Sequence, residues 1–156
     1  MFRLSVSAAA ISLAAACSPA DAPTPPATEA TGPILSYTDA FVMEPIGGRD
    51  MTMGGITLSV EGGDVTLNEA SSTSFGTIEL HTMAMADGRM QMRQVENFEI
   101  ADGGSLELKR GGNHLMMFDV GNDVVAGETV DITLSFDAAG EPMTLVVEAD
   151  VRAVGE

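Results

Sequence analysis

"TIELHTMAMADGRMQMRQV", residues Thr77 to Val95, decides the fold. Asp87-Gly88 stands between two alternating runs, and Asp-Gly in that setting is a strong hairpin signal. A two-residue turn there sets Ala86 opposite Arg89. Stepping outward, it pairs Met85 with Met90, Met83 with Met92 and His81 with Gln94. His81, Met83, Met85, Met90 and Met92 then share one face, while Ile78, Leu80 and Thr82 take the other. His81 and Met92 become diagonal neighbours, roughly 7 Å apart at Cβ.

The same period of two runs through the sequence on either side. "GITLSV" sets Ile56, Leu58 and Val60 on one face and Thr57 and Ser59 on the other. "DVTLNEASS" continues the pattern after Gly62-Gly63. "SLELK" groups Leu106 with Leu108, and "TVDITLSF" groups Val130, Ile132, Leu134 and Phe136. "MTLVVEADVR" offers Leu145, Val147 and Val151. Short alternating strands with one apolar face and Gly or Asp turns between them predict an all-β, antiparallel β-sandwich or barrel. No stretch carries a helical period.

The bulk composition excludes several functions. A formal net charge of -16 leaves nothing to neutralise phosphates, so nucleic acid is not a partner. Electrostatic docking on anionic lipid is excluded for the same reason. An acidic surface suits a basic partner or cations. There is no Walker loop, dinucleotide fingerprint, zinc-finger spacing or nucleophile elbow, and no acid–base pair stands out.

The first residues read as an address. Arg3 precedes an apolar run, Leu4 to Ala16, that is too short to span a bilayer. It ends in "LAAAC", which resembles the lipobox of bacterial lipoproteins, with Cys17 as the lipidated residue. Leu13 sits one place earlier than the lipobox favours, and ordinary cleavage after Ala14-Ala15-Ala16 is the alternative. Residues 1–17 are thus expected to be a signal peptide. Residues 18–33, rich in Pro, Ala and Thr, form a tether, and residues 34–154 form the domain. Cys17 is the one cysteine, so the domain holds no disulfide and no thiolate ligand.

The chain has 2 histidines and 11 methionines, and both histidines lie in the methionine-rich stretch. In "GGNHLMMFDV", His114 and Met116 are two apart and point the same way on a strand. Together with His81 and Met92 this gives two His/Met pairs on separate β segments. If the segments meet, they make a cluster of imidazoles and thioethers. Thioethers are soft neutral donors that suit Cu(I) and serve Mg, Ca or Zn poorly. Without a thiolate, a blue-copper electron-transfer centre is excluded. The ordinary reading of methionine on a strand is gap-filling core, and it is applied to Met43, Met51, Met53, Met85, Met90, Met117 and Met143. Met51 and Met53 share a face in "RDMTMGG", which leaves a second, weaker copper contact open there.

His81, Met92, His114 and Met116 have the spacing H-x10-M-x21-H-x-M. This resembles the signature of the PCuAC family of periplasmic copper chaperones, and the likeness extends over about Ile34 to Val154. The resemblance implies a cupredoxin-like β-sandwich with Cu(I) ligands His81, Met92, His114 and Met116. Met83 stands near enough to supplement or replace Met92. It further implies delivery to respiratory oxidase assembly, either to an oxidase subunit or through a partner thiol copper chaperone. Some members hold Cu(II) through His-rich tails, whereas "DVRAVGE" has no His. A four-donor site leaves no open position for a substrate, so the expected role is a carrier and not an enzyme. A copper buffer for tolerance and a metal-free envelope scaffold are the alternatives.

Overall fold

The computed structural model describes residues 32–155; the signal peptide, Cys17 and nearly all of the tether lie outside them. Ten strands follow in order: β1 (Ile34–Met43), β2 (Met51–Glu61), β3 (Val65–Ser71), β4 (Phe75–Ala86), β5 (Arg89–Gln94), β6 (Phe98–Ile100), β7 (Ser105–Leu108), β8 (His114–Val120), β9 (Thr129–Ala138) and β10 (Glu141–Arg152). They pair in the order β5-β4-β8-β2-β1-β10-β9-β3-β6, and β7 also pairs with β2. The result is the cupredoxin-like β-sandwich that the resemblance implies. No helix of the described residues is long and apolar enough to cross a membrane.

The alternation read from the sequence sets the core. Ile56, Leu58 and Val60 are buried, as are Leu106 and Leu108, and Val130 through Phe136 at every second position. Val147 and Val151 join them, while Leu145 packs at the margin. Removing a side chain such as Leu58, Leu67 or Leu134 from water contributes about 1.5–3 kcal/mol each. Every strand except β5 places a residue in this core.

The structure departs from the simple pattern in three places, one of them a bulge between Leu67 and Glu69 of β3 that turns Ala70 into the core. One pair, β1 with β10, is parallel and matches Phe41 with Asp150 and Val42 with Val151. These strands are the first and last of the domain, so the intervening chain supplies the long crossover that a parallel pair needs. Strand β1 itself has no clear period in sequence. A bulge between Thr38 and Phe41, with Asp39 at φ 52°, shifts its register against β2.

Strand β2 is crowded where its partners change. Near Gly54 and Gly55 it pairs with β1 on one edge and with β7 and β8 on the other. A Cβ on Gly55 would lie 2.3 Å from the Leu108 carbonyl oxygen, and one on Gly54 would lie 2.8 Å from the Phe41 oxygen. Only glycine lets these backbones approach so closely. This packing sets β2 against β1 and β7, and at Gly54 against the Met117 side chain of β8, and so fixes one side of the site.

Candidate metal centre

The hairpin forms in the register expected from Asp87-Gly88. Ala86 pairs with Arg89, Met85 with Met90, Met83 with Met92 and His81 with Gln94. Asp87 and Gly88 both have positive φ, 52° and 73°, as a type I′ turn requires. Strand β4 pairs on its other edge with β8, and that register sets His81 directly opposite His114. One row along, Glu79 stands opposite Met116, and Met116 stands opposite Met53 of β2.

Residues opposite one another share a face. One face of this four-strand ribbon therefore carries Met92, Met83, His81, His114, Glu79, Met116 and Met53. The other carries Leu80, Leu115 and Met117, which are 4%, 1% and 0% exposed and lie in the core. Within β8 the alternation splits the two jobs between neighbours: His114 and Met116 face the site, and Leu115 and Met117 face the core.

The structure thus brings His81, Met92, His114 and Met116 together. The imidazole rings meet edge-on with centroids 5.7 Å apart, and both histidines are buried, at 8% and 5% exposure. Met92 reaches across from β5 to put its Sδ 3.1 Å from His114 Nε2. Met116 lines a surface cavity with Met92 and His114. Met83 is half-buried beside Met92.

Each histidine is held by one nitrogen. His114 Nδ1 donates to the Gly112 carbonyl at 2.9 Å. The carbonyl only accepts, so in the neutral ring the lone pair is left on Nε2. That nitrogen faces Met92 Sδ, itself a weak acceptor. His81 Nε2 donates to Glu79 Oε2 at 2.8 Å. Its Nδ1 is buried without a hydrogen-bond partner. A second contact steadies the support of His114: Thr82 Oγ1 donates to Asn113 Oδ1 at 2.7 Å and ties β4 to the turn before β8.

This arrangement suits a soft cation. Donors about 2.0 and 2.3 Å from a shared tetrahedral ion stand roughly 3.5 Å apart, close to the spacing of His114 Nε2 and Met92 Sδ. A carboxylate or carbonyl on the far nitrogen of an imidazole is the usual way to fix the tautomer of a metal-binding histidine. Among the described residues no three His, Cys, Asp or Glu side chains come together to hold a harder ion.

Some functional neighbours were not read from sequence. Glu79 had a signal, since it lies two before His81 and so shares its face. The Gly112 carbonyl had none. Met85 and Met90 do not take the core role that is ordinary for methionine on a strand; they are 65% and 54% exposed. Met43, Met51 and Met53 do not fill the core either; they line the cavity beside His114 and Met116. Met117 packs in the core as expected, and Met143, half-buried, packs against it. The charged residues of the cavity are Glu44, Arg49 and Arg110. The charge at its mouth therefore does not follow the net -16 of the chain, and that net charge does not by itself draw a basic partner to this spot.

Fold and site define a class: a small β-sandwich with a histidine–methionine cluster on the outer face of its β5-β4-β8-β2 ribbon. The chain belongs to the LpqE-like family, described as "Putative lipoprotein LpqE-like", which matches residues 35–149. A relative from Leifsonia xyli subsp. xyli, "Putative lipoprotein Lxx21020", is 26% identical over 132 residues, covering 83% of this chain and 77% of its own. Among solved structures, the copper-bound PCuAC domain from PmoF2 superimposes with a TM-score of 0.62 at 16% identity, covering 76% of this chain and 92% of that one. CuI-DR1885 from Deinococcus radiodurans does so with a TM-score of 0.55 at 24% identity, covering 83% and 84%. This chain shares the PCuAC fold with them.

Proposed function

We propose that this protein is an exported, lipid-anchored copper carrier. It holds a Cu(I) ion through His81, Met92, His114 and Met116, with Met83 near enough to supplement or replace Met92. One observation carries the reading. Each imidazole has one nitrogen engaged by an oxygen that can only accept, and its other nitrogen lacks a conventional hydrogen-bond partner. Two solved domains of this fold, described as copper-bound and CuI-bound, support it. The lipoprotein description of the family and of the Leifsonia relative supports export and an anchor at Cys17.

Neutral nitrogen and thioether donors hold Cu(I) without the strong bond of a thiolate. A partner's thiolate or imidazole displaces the thioethers in turn, and the ion moves with no change of oxidation state. The recipient is a site richer in thiolate, such as a respiratory oxidase subunit or a thiol copper chaperone. The four donors fill the ion's shell, which makes this a carrier and not an enzyme.

Anaerobic titration of the purified protein with Cu(I) against a chromophoric chelator tests the reading. A tight equivalent that His114→Ala abolishes, with the β-sheet circular dichroism unchanged, supports it. Failure to compete with the chelator, or the same behaviour from His114→Ala, would leave a methionine-rich scaffold with no metal role.

A further inference from the structure

The cavity beside the histidines has a volume of about 270 Å³, and Met43, Met51 and Met53 line it together with Met92, His114 and Met116. Met53 is the direct cross-strand partner of Met116. Met51 lies two residues before it on the same face of β2, opposite Phe118, and is 45% exposed. Met43 comes from the end of β1, where its carbonyl accepts the Thr52 hydroxyl, so the backbones of β1 and β2 are tied together at this point.

We infer that Met43, Met51 and Met53 form a second, weaker soft-metal subsite, from which Cu(I) passes to Met116. The inference rests on the copper reading of the neighbouring His/Met cluster. A wall that only had to be apolar could be leucine or valine, as on the core face of the same strands. Here three separate backbone positions line the cavity with thioether side chains, and thioethers select soft monovalent ions. The one carboxylate of the cavity, on Glu44, accepts from the Ala126 amide at 3.3 Å. Three neutral sulfurs without imidazole bind more weakly than the His/Met cluster, as a landing site should. Side chains opposite one another in a sheet stand about 4.5–5.5 Å apart at Cβ. An ion can therefore bridge Met53 and Met116 while one bond forms and the other breaks, so it moves inward without entering bulk water.

The test uses Ag(I), a redox-inert stand-in for Cu(I), added to the full chain carrying ¹³C-methyl methionine and followed by NMR. Met92 and Met116 methyls are expected to shift in a first step, and Met43, Met51 and Met53 methyls in a second. The variant Met43→Leu/Met51→Leu/Met53→Leu keeps the apolar wall and, titrated with Ag(I) by calorimetry so that each bound equivalent is counted, is expected to keep the first step and lose only the second. A first step without the second, or a second step that survives in the leucine variant, overturns the subsite and leaves the carrier reading standing. Movement of Met43, Met51 and Met53 while Met92 and Met116 stay still supports the subsite and overturns the carrier reading. If no methyl moves, both fall.

Discussion

Glu79 gives the sharpest test of how the proposed centre works, because it touches His81 and is not itself one of the proposed donors. Its carboxylate lies 2.8 Å from His81 Nε2, with the two side chains 29% and 10% exposed. Replacing it by leucine removes the acceptor that fixes the ring, and His81 is then free to turn or to change tautomer. A hydrogen bond to a charged group at such a partly buried position is worth about 1.5–3 kcal/mol. Loss of the group that orients a metal-binding histidine costs about 10–100-fold in metal affinity, which is about 1.4–2.7 kcal/mol and agrees with that range. Glu79→Leu is therefore expected to weaken Cu(I) binding by about 10–100-fold with its stoichiometry kept. Glu79→Gln retains an oxygen that can accept from Nε2 and should lose less. The assay is chelator competition beside a thermal melt. The reasoning is refuted if Glu79→Leu binds Cu(I) like the parent while His81→Ala does not. It is equally refuted if Gln and Leu weaken binding to the same degree.

The other expectations follow from which face a residue occupies. Met117→Ala, in the core, should cost about 2–5 kcal/mol in urea unfolding with copper stoichiometry unchanged. Met116→Ala, its neighbour, should do the reverse, lowering Cu(I) affinity with a stability change of less than about 1 kcal/mol. Met85→Leu and Met90→Leu, both exposed, should leave affinity where it was, whereas Met92→Leu lowers it. Gly55→Ala should destabilise by roughly 3 kcal/mol or more, because its Cβ meets backbone at 2.3 Å. Gly88→Ala, with no atom within 4 Å but a φ of +73°, should cost only about 1 kcal/mol by the same measurement.

The sequence carried the hairpin and the core because both depend on neighbours in the chain. Asp87-Gly88 fixes a turn whose register then dictates every pair along β4 and β5. Alternation fixes which side of β2, β7 and β9 is apolar. What the sequence withheld depends on contacts between distant segments. Met53 and Met116 lie 63 positions apart and meet only because β2 and β8 pair. Met43 reaches the cavity because a bulge at Asp39 redirects the end of β1, and no periodic pattern announces a bulge. The methionines also misled for a physical reason. A thioether is apolar enough to be read as core and soft enough to be a ligand, and only its position on the sheet separates the two roles.

The four proposed donors are mounted on strands of unequal strength, and this bears on how an ion would leave. His81, His114 and Met116 sit on β4 and β8, inside the sheet and backed by Leu80, Leu115 and Met117. Met92 sits on β5, which ends the strand order, pairs only with β4 and is exposed at every residue from Arg89 to Gln94. Arg89 and Arg93 on that edge guard it against pairing with another chain. A strand that buries nothing opens at the low end of the stability range. Release should therefore begin at Met92, leaving the ion on three donors with a vacant position for the acceptor's thiolate. Amide hydrogen exchange tests this. In the metal-free protein the β5 amides are expected to exchange far faster than those of β8, and Cu(I) or Ag(I) should slow β5 selectively, because the ion clamps Met92 to His114. If β5 is as protected as β8 without metal, or if loading protects β8 and leaves β5 unchanged, Met92 is not the donor that opens first.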